Sequence, residues 1–276
     1  MRRRELGVLL RDLRTQRGWT VGQVAQRLLC SPSKVSRLET GHRGASARDI
    51  RDLCNLYGVP DKERQRLLVL ATAGKQRAWW QSLDLPYSDY VGLEAEAVGI
   101  QDFGLGMVPG LLQTADYAEA VGRVAVPRQS PEVINQRVEG RIARQRILTA
   151  STPPRFEAVI DESVLHRVVG SAAIMDAQLQ RLLQLSELPN LELMVLPYES
   201  GALPHAFGKF IILSFASSSL SDVVFVEGLT RGDYIDDRDE VAEYKATFQA
   251  LSGLAASSDR SRAIISSVIM SYRSRQ

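Results

Sequence analysis

The chain has 276 residues, 45% apolar and 24% charged, and its 34 Lys plus Arg against 32 Asp plus Glu leave a formal charge of only +2. These values sit at globular averages and exclude a collagen-like, largely disordered or membrane-bundle protein, while the length predicts two domains of ~100 to 200 residues. The near-neutral total conceals a split: residues 1–77 hold 17 Lys plus Arg against 7 Asp plus Glu, a net of +10, and the other 199 hold 17 against 25, a net of −8. A basic block of domain size is the electrostatic footprint of a nucleic-acid binder, and the acidic remainder should have another task.

The chain starts with basic residues, but Arg11, Asp12 and Arg14 interrupt the apolar stretch that begins at Leu6, so no signal peptide is expected. No run approaches ~18 apolar residues, and a cytoplasmic protein with no membrane partner is the expectation. Cys30 and Cys54, the two cysteines, lie inside helical patterns. They predict core fillers rather than a disulfide framework or a zinc pair.

The first 77 residues read as five short helices. Leu6, Leu9, Leu10 and Leu13 repeat at helical spacing up to Gly18; Thr20 caps a second helix carrying Val21, Val24, Ala25 and Leu28. Ser31 caps a third, with Pro32 in its first turn and Val35 and Leu38 on its apolar face, ending at Gly41. A fourth carries Ile50, Leu53, Cys54 and Tyr57, and a fifth spans about 61–73. Helices this short must share one core to persist. Only Leu29, Cys30 and Ser31 separate the second from the third, the spacing of a helix-turn-helix unit.

The stretch Thr20-Val-Gly-Gln-Val-Ala-Gln-Arg-Leu, followed by Ser31-Pro-Ser-Lys-Val-Ser-Arg-Leu-Glu-Thr-Gly, resembles the lambda-repressor-like (Xre) DNA-binding domain. Val21 departs from it, since many members carry a phosphate-contacting glutamine there. The third helix, 32–40, is thus the expected recognition helix, presenting Ser33, Lys34, Ser36 and Arg37 outward to base edges. Arg37 is the first choice for a bidentate guanine contact; Ser31, Thr40, His42 and Arg43 are better placed for phosphates. The resemblance further implies that Arg14 and Glu39 form a structural ion pair between the first helix and the end of the third.

Beyond Gly74 the periodicity fades, and 78–96, with Trp79-Trp80, reads as a linker. Strands are expected at 98–107, 156–160, 191–196, 207–215 and 223–227, about five in all. Helices are expected at 114–124, 131–148, 171–188, 237–256 and 259–272, with a short one capped by Asp161. The result is an α+β domain over 97–276. Its motifs, Val108-Pro-Gly-Leu-Leu-Gln-Thr-Ala-Asp-Tyr117, Arg141-x-x-Arg144-Gln145, Val159-Ile-Asp-Glu162, Leu193-Met-Val-Leu-Pro197 and Val224-Phe-Val-Glu227, resemble actinobacterial regulators in which an Xre-type domain precedes a domain of unknown function. That resemblance implies an antitoxin-like transcription regulator whose gene neighbours one for a small toxin-like partner protein.

The sequence offers little chemistry for an enzyme. Gly104-Leu-Gly106-Met-Val-Pro-Gly110 departs from a phosphate-binding loop in its last glycine and in Pro109. Asp161, Glu162 and His166 are read as a helix start rather than an acid–base or metal cluster, and His205 and Glu227 cannot be joined to them. No catalytic residue, metal ligand set or cofactor is expected. Arg137, Arg141 and Arg144 form a helical stripe, the candidate site for an anionic ligand or acidic partner, with a solvated face or pairing to the acidic run 233–240 as the plainer alternative. The expected function is sequence-specific binding of double-stranded operator DNA by a homodimer, with the second domain sensing a ligand or binding a small protein. The alternatives are an antitoxin acting chiefly by occluding its partner, and a DNA-tethered enzyme acting on a small molecule.

Overall fold

A computed structural model describes residues 2–41, 44–73, 87–125, 129–204, 208–216, 221–228 and 232–274. They fall into two compact units, the first ending before residue 83 and the second beginning there.

The first unit is five helices: α1 (Arg2–Thr15), α2 (Val21–Arg27), α3 (Pro32–Glu39), α4 (Ala47–Tyr57) and α5 (Asp61–Ala73). Side-chain caps fix three of their starts. Thr20 and Gln23 form a reciprocal capping box on α2, Ser31 Oγ accepts from Lys34 N on α3, and Ser46 pairs with Asp49 on α4. Gly58, at φ 61°, closes α4 in the left-handed conformation. The apolar faces converge on one core that includes Leu6, Leu10, Val24, Val35, Ile50 and Tyr57. Cys54 is fully buried in it, and burial pushes its thiol pKa up, as suits a core residue. Gly7 is required where α1 meets α3, because a methyl group there would lie 2.5 Å from the Glu39 carbonyl oxygen.

The second unit is an α+β domain built on one six-stranded sheet of order β3-β2-β1-β4-β5-β6. The strands are β1 (Gly99–Gly104), β2 (Arg155–Asp161), β3 (Leu191–Leu196), β4 (Phe210–Ser214), β5 (Val223–Glu227) and β6 (Gly232–Ile235). β1, β2 and β3 are parallel; β4 to β6 form an antiparallel meander joined to β1. The crossover from β1 to β2 carries a short 3-10 turn (Gly110–Leu112), α7 (Ala115–Ala125), α8 (Pro131–Arg144) and a second turn (Gln145–Thr149). That from β2 to β3 carries α9 (Ser163–His166) and α10 (Ala172–Leu185); α11 (Arg238–Leu254) and α12 (Ser258–Arg273) follow the sheet.

Alternation assigns the faces. Phe103, Val159, Met194, Phe210 and Val224 pack under Val241, Phe248 and Leu251 of α11. Ile100, Phe156, Ala158, Ile160 and Val195 point the other way and are equally buried, so the sheet is covered on both sides. The outer edge of β3 is closed by two bonds, Val195 N donating to Ser261 Oγ at 2.8 Å and Ala256 N to Val195 O at 2.8 Å.

Two expectations change. The sheet has a sixth strand, β6, lying inside the acidic run. The described part of the expected linker, 87–96, is folded into the second unit: α6 (Ser88–Glu94) buries Tyr90, Val91, Leu93 and Glu94. Trp79, Trp80 and His205 lie outside the described residues.

Candidate nucleic-acid interface

α3 has two faces of opposite character. Val35, Leu38 and Glu39 are buried, whereas Ser33, Ser36, Arg37 and Thr40, at i, i+3, i+4 and i+7, are exposed. That exposed stripe is short, polar and one helix wide, the shape a major groove admits. Arg37 lies along it: its Nε donates to the Ser33 carbonyl at 3.1 Å and Nη2 to Ser33 Oγ at 3.4 Å. Both contacts are exposed and neutral, so the guanidinium can exchange them for a guanine edge without leaving a buried charge behind. Ser31, beside it, caps the helix and lies 3.1 Å from Ser33 Oγ, and Thr40 Oγ1 donates to the Ser36 carbonyl at 3.0 Å.

Lys34, grouped by sequence with the outward set, is half-buried and turned sideways: its Nζ meets Asp49 Oδ1 at 2.5 Å. Asp49 Oδ2 also accepts from Ser46 N and Oγ at 2.9 and 2.7 Å. Burial opposes its charge, yet the Lys34 and Ser46 bonds prevail and hold the carboxyl below the usual carboxylate range. Lys34 therefore ties α3 to the start of α4. Neither the Ser46 cap nor this cross-helix pair is among the sequence expectations.

The presentation of α3 is fixed from behind. Arg14 of α1 donates from Nε and Nη2 to the two Glu39 carboxylate oxygens at 2.7 and 2.9 Å, and from Nη1 to the Trp19 carbonyl at 2.7 Å. The Glu39 bond raises the Arg14 pKa, so the guanidinium is charged at any working pH. Arg27 of α2 covers the Trp19 ring at 4.5 Å. Val21 is partly buried against the core. Leu29, in the turn between α2 and α3, is 94% exposed and sits at φ 51°. His42 and Arg43 lie outside the described residues.

The residues singled out in the second unit do not assemble into one site. Asp161 Oδ1 accepts from Ser163 N at 2.9 Å at the start of α9, and Glu162 Oε2 accepts from Tyr198 N at 2.8 Å. His166 is exposed, 3.5 Å from Glu162. Glu227 pairs with Lys209 at 3.2 Å. Among the described residues no group of three or more His, Cys, Asp or Glu is placed to hold a metal ion, and no helix is long and apolar enough to cross a membrane.

The arginine stripe of α8 divides. Arg144 is 6% exposed and pairs with Glu94 of α6, Nε to Oε1 at 2.7 Å and Nη2 to Oε2 at 2.6 Å, beneath the rings of Tyr87 and Tyr90. Burial works against its charge, and Glu94 more than offsets it. It is therefore neither a surface ligand residue nor a partner of the acidic run. Arg141 and Arg137 are half-buried; Arg141 Nη1 donates to the neutral Gln113 Oε1 at 2.5 Å.

A family model described as a helix-turn-helix domain matches residues 5–67, and one described as a domain of unknown function, DUF5753, matches 87–267. The chain belongs to the DUF5753 family. The first match covers most of α1 and all of α2 to α4, and makes the chain a helix-turn-helix regulator of DNA-binding type. The DUF5753 match begins at Tyr87, the residue that precedes α6. No curated protein and no solved structure matches this DUF5753 chain.

Proposed function

We propose that the protein is a cytoplasmic transcription regulator of the Xre type that reads double-stranded operator DNA with α3 in the major groove. The observation that carries this reading is the exposed stripe Ser33, Ser36, Arg37 and Thr40 on a short helix whose other face is buried. Arg37 reads a guanine, Ser33 and Ser36 touch neighbouring bases or sugars, and Ser31, Thr40, His42 and Arg43 contact phosphates. A domain this small gains its affinity from two copies, so the regulator acts as a homodimer on half-sites about one helical turn apart. The second unit senses a ligand or binds a small protein, antitoxin-like, and does no chemistry of its own. Its Asp161 and Glu162 are engaged by backbone N–H groups, which supports binding over catalysis.

Mapping genomic binding sites supplies the operator, and fluorescence anisotropy then measures Arg37→Ala against it. The expected loss is ~1 to 3 kcal/mol, about 5- to 150-fold, with relaxed preference at one base position. Unchanged affinity and unchanged preference would remove α3 from the role of reader. Sedimentation of the complex should give two chains per operator; one chain would sink the homodimer.

A further inference from the structure

Two motifs of the second unit, 108–117 and 141–145, form one bonded network. Gln113, nearly fully buried, donates from Nε2 to the Val108 carbonyl at 2.7 Å, which fixes its amide and turns Oε1 toward Arg141. Gln145 Nε2 donates to the Gln113 carbonyl at 2.6 Å. The fully buried Gln178 grips the same segment from α10, donating to Leu112 O at 2.8 Å and accepting from Thr114 N at 2.7 Å. Three glutamines thus hold a rigid shelf against α8, the support a binding group needs.

Charge on this shelf is not balanced as it is one turn further on. Arg144 has Glu94; among the described residues Arg137 and Arg141 make no ion pair with any carboxylate. Arg137 Nε is sealed from solvent with no acceptor. Arg141 has a neutral amide, and both Arg141 and Arg167 lie within electrostatic reach of the Tyr117 hydroxyl. A half-buried guanidinium fork without a counter-ion is an incomplete arrangement, and an oxyanion is the group that completes it. One turn of helix separates the two arginines, a span of about 6 Å that one phosphate or carboxylate group bridges.

We propose that Arg137 and Arg141, backed by Gln113, bind the oxyanion of a small phosphorylated or carboxylated metabolite. The partly buried setting favours a small molecule over the acidic surface of a protein, and the −8 charge of residues 78–276 repels anions elsewhere, so occupancy there is selective. This rests on the reading of the second unit as a sensing module.

The test uses the full chain titrated calorimetrically with inorganic phosphate, pyrophosphate and citrate at constant ionic strength, in wild type, Arg137→Met, Arg141→Met and Arg37→Ala. At least one probe should bind wild type and Arg37→Ala alike, and at least ten-fold more weakly to each α8 variant. Arg137→Met, which removes an unneutralised charge, should leave the anion-free protein at least as heat-stable as wild type, so a lost signal cannot be blamed on unfolding. Equal binding by wild type and both α8 variants, loss only in Arg37→Ala, or no binding of any probe would overturn the site. Binding of an oligoglutamate peptide without binding of the small anions would overturn the metabolite in favour of an acidic protein. Operator affinity with and without the bound probe separates the two readings: a site that binds but leaves DNA affinity unchanged keeps the site and removes its role in sensing.

Discussion

Each unit is braced by a two-pronged arginine–glutamate pair, and the two pairs stand in different surroundings. Arg14–Glu39 crosses from α1 to the end of α3 with side chains 11% and 6% exposed, in a basic segment. Arg144–Glu94 joins α8 to α6 at 8% and 1%, roofed by Tyr87 and Tyr90, inside an acidic body. The first pair keeps a helix presented so that its far face stays free to read; the second removes an arginine from the surface and uses it as internal glue. A count of arginines along a helix does not distinguish these uses, because the deciding quantity is where the helix lies relative to its own core.

Removing one carboxylate from each pair separates the two roles. Glu94→Gln leaves the Arg144 charge buried and poorly compensated, and should cost ~3 to 5 kcal/mol in the second unit. Hydrogen exchange of the β1 and β2 amides resolves that unit from the first. Amides that keep wild-type protection would show that Tyr87 and Tyr90 alone hold the guanidinium.

Asp102 gives the next effect. It lies on central β1, 3% exposed, with Oδ1 lacking a partner. Burial is the main cause that raises its pKa to about 6; Lys209 opposes this and Glu94 adds to it. The unfolded carboxyl ionises near 3.8, so the folded state binds the extra proton between about 4 and 6 and the second unit loses stability as pH rises through that window. At ~1.4 kcal/mol per pH unit the burden at pH 7 is ~3 kcal/mol. Asp102→Asn should therefore stabilise the second unit at pH 7 by up to that amount and have little effect at pH 4. Equal effects at both pH values, in the same exchange measurement, would refute the assignment.

Glu39→Gln should be milder, ~2 kcal/mol, because Arg14 keeps its bond to the Trp19 carbonyl. Operator affinity should fall with it even though Glu39 is buried and out of reach of DNA, since the change acts through the presentation of α3. A variant that loses stability but keeps full affinity would detach the pair from presentation.

The two units also differ in how far they were legible in sequence. Caps and apolar spacing are local, so α2 and α3 announce their starts at Thr20 and Ser31, and the exposed stripe of α3 follows from them. β6 carried no such signal: it is four residues long, none of them buried, and Gly232 is there because the Phe225 ring lies over it. α6 has no local signal because its contacts are distant in the chain, Glu94 to Arg144 and Tyr90 to Phe225 at 4.6 Å. The split of the arginine stripe was hidden for the same reason, as was the diversion of Lys34 to Asp49. Pairings across 15 to 135 residues leave no periodicity to read.

The smallest effect tests the turn of the reader itself. Among the described residues Leu29 is the one non-glycine residue at positive φ, so the strain lies in the first unit and none of that kind in the second. A leucine in the left-handed region costs ~1 to 2 kcal/mol, and its side chain, 94% exposed, recovers nothing by packing. Glycine removes the strain but adds ~0.5 to 1 kcal/mol of backbone entropy to the unfolded chain. Leu29→Gly should therefore stabilise the first unit by about 0.5 to 1 kcal/mol, read as greater protection of α2 and α3 amides, with operator affinity unchanged. If affinity falls while stability rises, Leu29 touches the operator or a protein bound beside it, and the strained turn belongs to the reading surface along with the stripe of α3.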